Sequence, residues 1–93
     1  MSKKAADAAN EAADAYNKLK ETISGYEEGV KKLEELTKGT LEYKEALTEA
    51  NEKAIELLKN NPSLEYSYDK NGMIYFKDPN ALNDLQNASL ENS

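Results

Sequence analysis

Apolar residues recur at helical spacing along the first third of the chain. From Ala5 to Leu33 the steps between them alternate between four and three residues. Sustained over about four heptads, this spacing is typical of a coiled-coil helix, and we expect one helix over residues 3–37. The expected self-association seam consists of Ala5, Ala9, Ala12, Tyr16, Leu19, Ile23, Tyr26, Val30 and Leu33.

The two halves of this seam differ in the size of their side chains. Before Tyr16 the seam is alanine, which favours helix but buries little apolar area. The alanine-rich end therefore either packs closely on a partner helix or remains a solvated helical terminus, and the pattern leaves both open. Gly25 and Gly29 each weaken a helix interior by up to about 1 kcal/mol, so we expect a local bend or weak point there.

The heptad phase breaks at Gly39. Glycine can adopt the positive φ of a helix end, and Thr40 is a suitable N-cap for a following helix. We expect a second helix over residues 41–60 that folds back as an antiparallel hairpin, the alternative being one kinked helix. Pro62 ends the second helix, with Asn61 expected in the left-handed region.

The second helix is shorter than the first. At about 1.5 Å per residue it spans roughly 30 Å and covers only the Leu19-to-Leu33 half of the first helix. The alanine-rich end would then project without a partner in its own chain. Residues 1–16 would meet another copy, or the chain would be one piece of a longer coiled coil.

The pattern changes to a period of two after Pro62. Alternating residues, then Asn71-Gly72, predict a β-hairpin over residues 64–77 with a type I′ turn. A lone hairpin is marginally stable, so its inward side chains should pack on the end of the helices. Those side chains are Tyr66, Tyr68, Ile74 and Phe76.

A short helix should close the chain. Asp78 and Pro79 form a helix start, and we expect this helix over residues 79–88. The predicted fold is therefore mainly α, a coiled-coil helical hairpin with a C-terminal β-hairpin and short helix. We divide it into residues 1–61 and 62–93, packed as one folding unit.

Composition removes several kinds of chemistry. The 93 residues carry a net charge of −6 and contain neither Cys nor His, and every cation is Lys. Thiolate and imidazole nucleophiles and ligands are missing, and so is the bidentate guanidinium that reads phosphates and bases. We expect no enzyme activity, no metal or cofactor, no nucleic-acid partner and no membrane span.

The remaining candidate surface is acidic. Glutamates recur at three- and four-residue steps along the second helix, away from its apolar stripe. Solvated charges explain this pattern, and a contiguous face for a basic protein surface is the functional alternative. The candidate face consists of Glu42, Glu45, Glu49, Glu52 and Glu56.

The segment ELTKGTLEYKEALTEANEKAIELLKNNPSLEYSYDKNGMIYF, residues 35–76, resembles a module of tail tape-measure proteins of tailed bacteriophages and prophages. In that family an Ala/Lys/Glu-rich coiled coil leads through a Leu-Thr-x-Gly-Thr junction into a helix, a proline stop and a β-hairpin. The matching residues are Leu36, Thr37, Gly39, Thr40, Tyr43, Asn51, Leu57, Leu58, Pro62, Leu64 and Gly72.

The resemblance implies a non-enzymatic structural module, a fragment of a long helical protein that sets tail length. Its partners would be further copies or other tail components, and its location the virion tail or the bacterial cytoplasm, since the start MSKKAADAAN lacks the apolar core of a secretory signal. The alternative is a small acidic interaction or inhibitor protein. A helical-hairpin adaptor module shares the same fold expectation.

Overall fold

A computed structural model gives three helices and one β-hairpin. It describes the backbone of residues 2–92 and the side chains of residues 11 and 13–89. The elements are α1 (Ser2–Glu35), α2 (Leu41–Asn60), β1 (Tyr66–Tyr68), β2 (Ile74–Phe76) and α3 (Ala81–Asn92). The predicted fold class, a helical hairpin followed by a β-hairpin and a short helix, is confirmed.

The chain stops and restarts between α1 and α2. Gly39 has a φ of +86°, the left-handed conformation expected of a glycine at this point. Thr40 is the N-cap of α2, because its Oγ1 accepts the N–H of Tyr43 at 3.2 Å. Its hydroxyl also donates to the Thr37 carbonyl at 2.7 Å. The kinked continuous helix is therefore wrong.

The C-terminal end of α2 differs from the prediction in its backbone. Asn61 has a φ of −140° and so is not left-handed. Its backbone N–H and its Nδ2 both donate to the Leu57 carbonyl, at 2.9 and 3.1 Å. The asparagine side chain thus satisfies the end of the helix, and no residue needs positive φ there.

Small side chains let α1 and α2 lie close together. The buried face of α2 is Ala46, Ala50, Ala54 and Leu57. A methyl group placed at Gly29 would lie 3.1 Å from the Cβ of Ala50, closer than ordinary van der Waals contact. The structure thus gives Gly29 a packing role against α2, within an α1 that continues through it as one α-helix.

The β-hairpin is antiparallel and pairs Tyr66 with Phe76, Ser67 with Tyr75 and Tyr68 with Ile74. Hydrogen bonds from Lys77 N–H to Glu65 O (3.1 Å) and from Asp69 N–H to Met73 O (2.9 Å) extend the ladder beyond both strands. The paired region therefore lies within the predicted range of 64–77.

The type I′ turn is wrong. Gly72 has positive φ (+84°), but Asn71 does not. The Gly72 N–H donates to the Asp69 carbonyl at 3.0 Å, and the Asp69 carboxylate accepts the N–H groups of Asn71 (2.8 Å) and Met73 (3.0 Å). This is a three-residue loop with glycine in the left-handed position. The carboxylate organises the loop, so Asn71 keeps an ordinary backbone.

The final helix packs along α1. Helix α3 begins at Ala81 and not at the predicted residue 79, because Pro79 and Asn80 form a turn in which the Asp78 carboxylate accepts the N–H of Asn80 at 2.9 Å and the Asp78 carbonyl accepts that of Ala81 at 3.1 Å. The helix continues to Asn92, beyond the predicted end at residue 88. Leu82 packs beside Tyr26, whereas Ser89 lies beside Ala15 and Lys18. Helix α3 therefore runs antiparallel to α1 and in the same general direction as α2.

Two groups of buried residues form the core. One joins Tyr26, Ala54 and Ile74, and the other joins Leu33, Ala46 and Ala50. Met73 and Phe76 of the hairpin pack on these groups, so the hairpin covers the groove between α1 and α2.

Strand β2 lies against the helices and β1 lies outside it. Ile74 is 1% exposed, whereas Tyr66 and Tyr68 are 45% and 58% exposed. The expectation that all four inward residues of the hairpin would be covered holds for Ile74, with Phe76 half-buried, but is wrong for the two tyrosines.

Candidate interaction surfaces

The predicted seam of α1 divides into a buried and a more exposed part. Ile23, Tyr26 and Leu33 are buried within the chain and Val30 is half-buried. Tyr16 and Leu19 are half-buried, and the side chains of Ala5, Ala9 and Ala12 lie outside the described residues. The C-terminal half of the seam is thus used for intramolecular packing, mainly against α2.

A groove of about 530 Å³ lies where α2 ends beside α1. Leu19 and the buried Leu57 contribute apolar walls, and Leu85 of α3 contributes a third. The hydrophobic pattern does not predict that α3 covers α1 here, because the three leucines among its twelve residues carry no signal of which helix they pack on. The groove is lined by Ala15, Lys18, Leu19, Thr22, Glu56, Leu57, Asn60, Asn61, Leu85, Ala88 and Ser89.

One ion pair crosses this groove. Lys18 Nζ lies 3.7 Å from Glu56 Oε1, and the two side chains are 74% and 36% exposed. An exposed pair of this kind contributes about 1 kcal/mol or less. It orients the Glu56 carboxylate towards α1 without holding the helices together.

The acidic residues of α2 form one face. Glu42, Glu45, Glu49 and Glu52 are exposed, and Glu56 is half-buried at one end of the series. At 100° per residue they lie on one side of α2, away from the hairpin and beside the buried alanine stripe. Of the five, Glu56 alone has a lysine within ion-pair distance in the part of the chain that the structure describes.

A single residue of the hairpin is bound by both long helices. The Tyr26 hydroxyl of α1 donates to the Ile74 carbonyl at 2.6 Å. On α2, Asn51 accepts the Ile74 N–H at 2.8 Å and donates through Nδ2 to the Gly72 carbonyl at 3.0 Å. Burial, with the negative charges of Asp69 and Glu27 nearby, raises the pKa of Tyr26 to about 12.

These two side chains were not singled out as anchors by the sequence analysis. Asn51 is a polar residue on the edge of an otherwise apolar helical stripe, and this is the one signal that could have indicated a buried role. Tyr26 was assigned to the seam, where its ring lies edge-on to Phe76 with the ring centres 5.4 Å apart.

A smaller groove of about 320 Å³ lies beside the Tyr26 ring, between α1, β2 and the start of α3. Val30, Met73 and Leu82 make its surface largely apolar, and Glu27 and Asp78 stand at its rim. Glu27 and Asp78 are the carboxylates of this groove, and no lysine, serine or threonine of the described residues lines it beside them, so the groove offers an apolar surface without an acid–base pair.

The described side chains contain no group of three or more carboxylates arranged to hold a metal ion. Among the helices of residues 2–92, none combines the length and the apolar character needed to cross a bilayer.

Comparisons of the chain with protein-family models, with curated proteins and with solved structures each found no match.

Proposed function

We propose that this protein is a non-enzymatic assembly module that associates with a second copy of itself through the N-terminal half of α1. The observation that carries the proposal is the mismatch between the two long helices. Helix α1 has 34 residues and α2 has 20, and among the described side chains of α1, at residues 11 and 13–35, the first buried one is Thr22. The helix therefore begins about twenty residues before this point.

The end of this core has the shape that a partner helix requires. Past Asn60 no further residue of α2 covers α1, and the groove beside Leu19 lies between the end of α2 and helix α3. A helix from a second copy that followed α1 would continue the line of α2 and cover Tyr16 and Leu19. Ala15, which lines this groove, is small enough to allow two backbones to approach closely.

The resemblance of residues 35–76 to tail tape-measure proteins of bacteriophages supports the same class of function. Those proteins are long helical assemblies, and a module with a continuing α-helix suits such an assembly. The phage-tail role, with the tail or the bacterial cytoplasm as location, is part of the proposal.

Sedimentation equilibrium of the full chain and of a variant lacking residues 1–16 tests the proposal. Among the residues whose side chains the structure describes, every buried one lies at Thr22 or later, so the truncated chain should keep its core, which circular dichroism checks. A dimer or trimer that becomes a monomer on truncation supports assembly through this end. Equal monomeric masses for both chains overturn it.

A point variant gives a sharper form of the same test. Leu19→Ser should weaken association because it removes an apolar wall of the groove, whereas Lys20→Ser changes an exposed neighbour and serves as the matched control. If the two variants associate equally well, the surface at Leu19 is not the interface.

The second candidate is an acidic interaction or inhibitor protein, and the contiguous exposed carboxylates of α2 favour it. Binding through Glu42, Glu45, Glu49 and Glu52 to a basic protein would collapse between low and moderate salt, because such charges are screened. Apolar self-association through α1 would change little over the same range. Lysozyme is a suitable basic probe, and binding that persists at moderate salt contradicts this candidate.

A further inference from the structure

The outer edge of β1 has backbone groups that face away from the rest of the protein. Glu65 and Lys77 form one hydrogen-bonded pair of the hairpin, and Asp69 and Met73 form another. In an antiparallel ladder such pairs alternate with non-hydrogen-bonded ones. Tyr66 and Tyr68 belong to the non-hydrogen-bonded pairs, so their N–H and C=O groups point outward from β1.

The two edges of this small sheet differ. On the β2 edge, Ile74 has its N–H bound by Asn51 and its C=O bound by Tyr26. On the β1 edge, no hydrogen bond reaches the outward backbone groups of Tyr66 or Tyr68 from any part of the chain that the structure describes. An edge with free donors and acceptors can accept a further strand.

The side chains at this edge suit an apolar contact. Tyr66 and Tyr68 are 45% and 58% exposed. Their rings lie edge-to-face with centres 6.1 Å apart, so they form one aromatic surface beside the free backbone groups. Alternate residues of an added strand would lie on these rings.

Charge disfavours a second copy in the pairing that would bring the tyrosines of both copies together. When two copies of β1 pair antiparallel about Ser67, Tyr66 of each copy lies opposite Tyr68 of the other, and Glu65 lies opposite Asp69. Like charges directly opposite each other destabilise a strand pair, and this arrangement would contain two such pairs. The exposed carboxylate of Glu65, and the charge of the Asp69 carboxylate that two N–H groups of the loop hold in place, instead favour a partner strand that carries basic residues opposite both.

We propose that the outer edge of β1 binds an extended peptide segment in which two apolar residues are flanked by basic ones, in the pattern basic–apolar–any–apolar–basic. The segment lies antiparallel to β1, its apolar residues on Tyr66 and Tyr68 and its basic residues opposite Glu65 and Asp69. Its backbone hydrogen-bonds the N–H and C=O groups of both tyrosines. This surface is separate from the α1 end and from the acidic face of α2.

The test uses the full chain and a peptide that contains Lys-Val-Thr-Val-Lys between Gly-Ser linkers, with amide exchange and amide chemical shifts measured by NMR. The expected result is slowed exchange at the Tyr66 and Tyr68 amides, with Tyr75 unchanged because its N–H already lies in the ladder. A peptide with Lys-Pro-Thr-Pro-Lys has the same charge but cannot form a strand, and it should bind at least about tenfold more weakly.

Tyr68→Pro tests the edge itself. The N–H of Tyr68 is outside the β1–β2 ladder, and proline is tolerated on an edge strand, so the hairpin should persist in this variant. Unchanged protection of the Ile74 amide checks this, and peptide affinity should fall about tenfold. Glu65→Lys leaves the backbone intact and should also weaken binding, through charge alone.

Three results overturn the proposal. One is equal binding of the proline-containing peptide, which would mean attraction by charge without strand pairing. Another is shift changes confined to residues 42–56, which would place the peptide on the acidic face of α2. The third is protection of Tyr66 and Tyr68 that rises with protein concentration in the absence of peptide, which would mean that a second copy occupies the edge.

Discussion

The Tyr26 hydroxyl donates a 2.6 Å hydrogen bond to the Ile74 carbonyl, joining α1 to a strand 48 positions later in the chain. The bond is buried and requires the tyrosine to be protonated, because a phenolate cannot donate. The strand that carries Ile74 is therefore bound to α1 by a hydrogen bond that exists only while Tyr26 is protonated, so this contact depends on pH.

Stability should fall at high pH in a way that Tyr26→Phe removes. Because the pKa of Tyr26 is raised from 10.0 to about 12 in the folded state, its contribution is complete below pH 10 and is lost as the pH rises towards 12. Urea unfolding of both proteins from pH 8 to 12 measures this. The difference in free energy of unfolding between the wild type and Tyr26→Phe should shrink as the pH rises from 10 to 12.

Tyr75→Phe is the matched control, since Tyr75 is 41% exposed and its hydroxyl makes no hydrogen bond among the described residues. A difference between wild type and Tyr26→Phe that stays constant from pH 8 to 12 would contradict the structural role of the proton.

Asn51→Ala should loosen the β-hairpin. The substitution leaves the Ile74 N–H and the Gly72 carbonyl without their partner, and the expected loss is about 1–3 kcal/mol in free energy of unfolding. Amide exchange of Ile74 should accelerate at the same time. Glu52→Ala changes the exposed neighbour and should stay within about 0.5 kcal/mol. Equal effects of the two substitutions would mean that Asn51 does not hold the hairpin.

The two glycines of α1 should respond to alanine in opposite directions. At Gly25 an added methyl group meets the flexible end of Lys53, with Cε at 3.3 Å, so the higher helix propensity of alanine should stabilise by up to about 1 kcal/mol. At Gly29 the same group meets Cβ and Cα of Ala50 at 3.1 and 3.5 Å. The facing backbone cannot turn aside, so overpacking should outweigh the propensity gain and cost about 1 kcal/mol.

Thermal or urea unfolding of both variants checks this comparison. Adding Ala50→Gly to Gly29→Ala removes the facing methyl group, so the contact again holds a single methyl group as in the wild type. Part of the lost stability should then be recovered, as a double-mutant cycle would show. Stabilisation by both alanines would contradict the close approach of α1 and α2 at Gly29.

Gly39→Ala should destabilise the turn between the long helices. Gly39 has a φ of +86° with open space around it, so the cost is backbone strain alone, about 1 kcal/mol. Gly39→Asn should cost less, because asparagine tolerates the left-handed region better. Similar losses for the two variants, measured by urea unfolding, would mean that something other than φ determines the effect.

Local rules account for the parts of the fold that were predicted correctly. Glycine is favoured just after a helix end and threonine is favoured as an N-cap, so the pair between two amphipathic runs makes the break at Gly39 predictable from sequence. The period of two around Tyr66 and the Asn71-Gly72 pair likewise predict a hairpin. These signals depend on neighbouring residues only.

The errors lie where side chains distant in sequence, or a local carboxylate, decide the outcome. Asp69 organises the loop through two N–H groups and removes the need for positive φ at Asn71. Which strand lies against the helices depends on Asn51 and Tyr26 both reaching Ile74 rather than Tyr68. The positions of α3 and of the exposed tyrosines follow from which strand packs on the helices, and the hydrophobic pattern does not determine this.

The shared direction of α2 and α3 has an electrostatic consequence. Both helices end towards the N-terminal half of α1, and both line the groove beside Lys18 near their ends. The carbonyl end of a helix carries a partial negative charge of about half a unit. Because the carbonyl ends of both helices point towards the same end of the core, they make that end attractive to cations through the backbone itself, in addition to Glu56. Lys18, 74% exposed on the one helix that continues past both ends, is the cation that the chain supplies to this field.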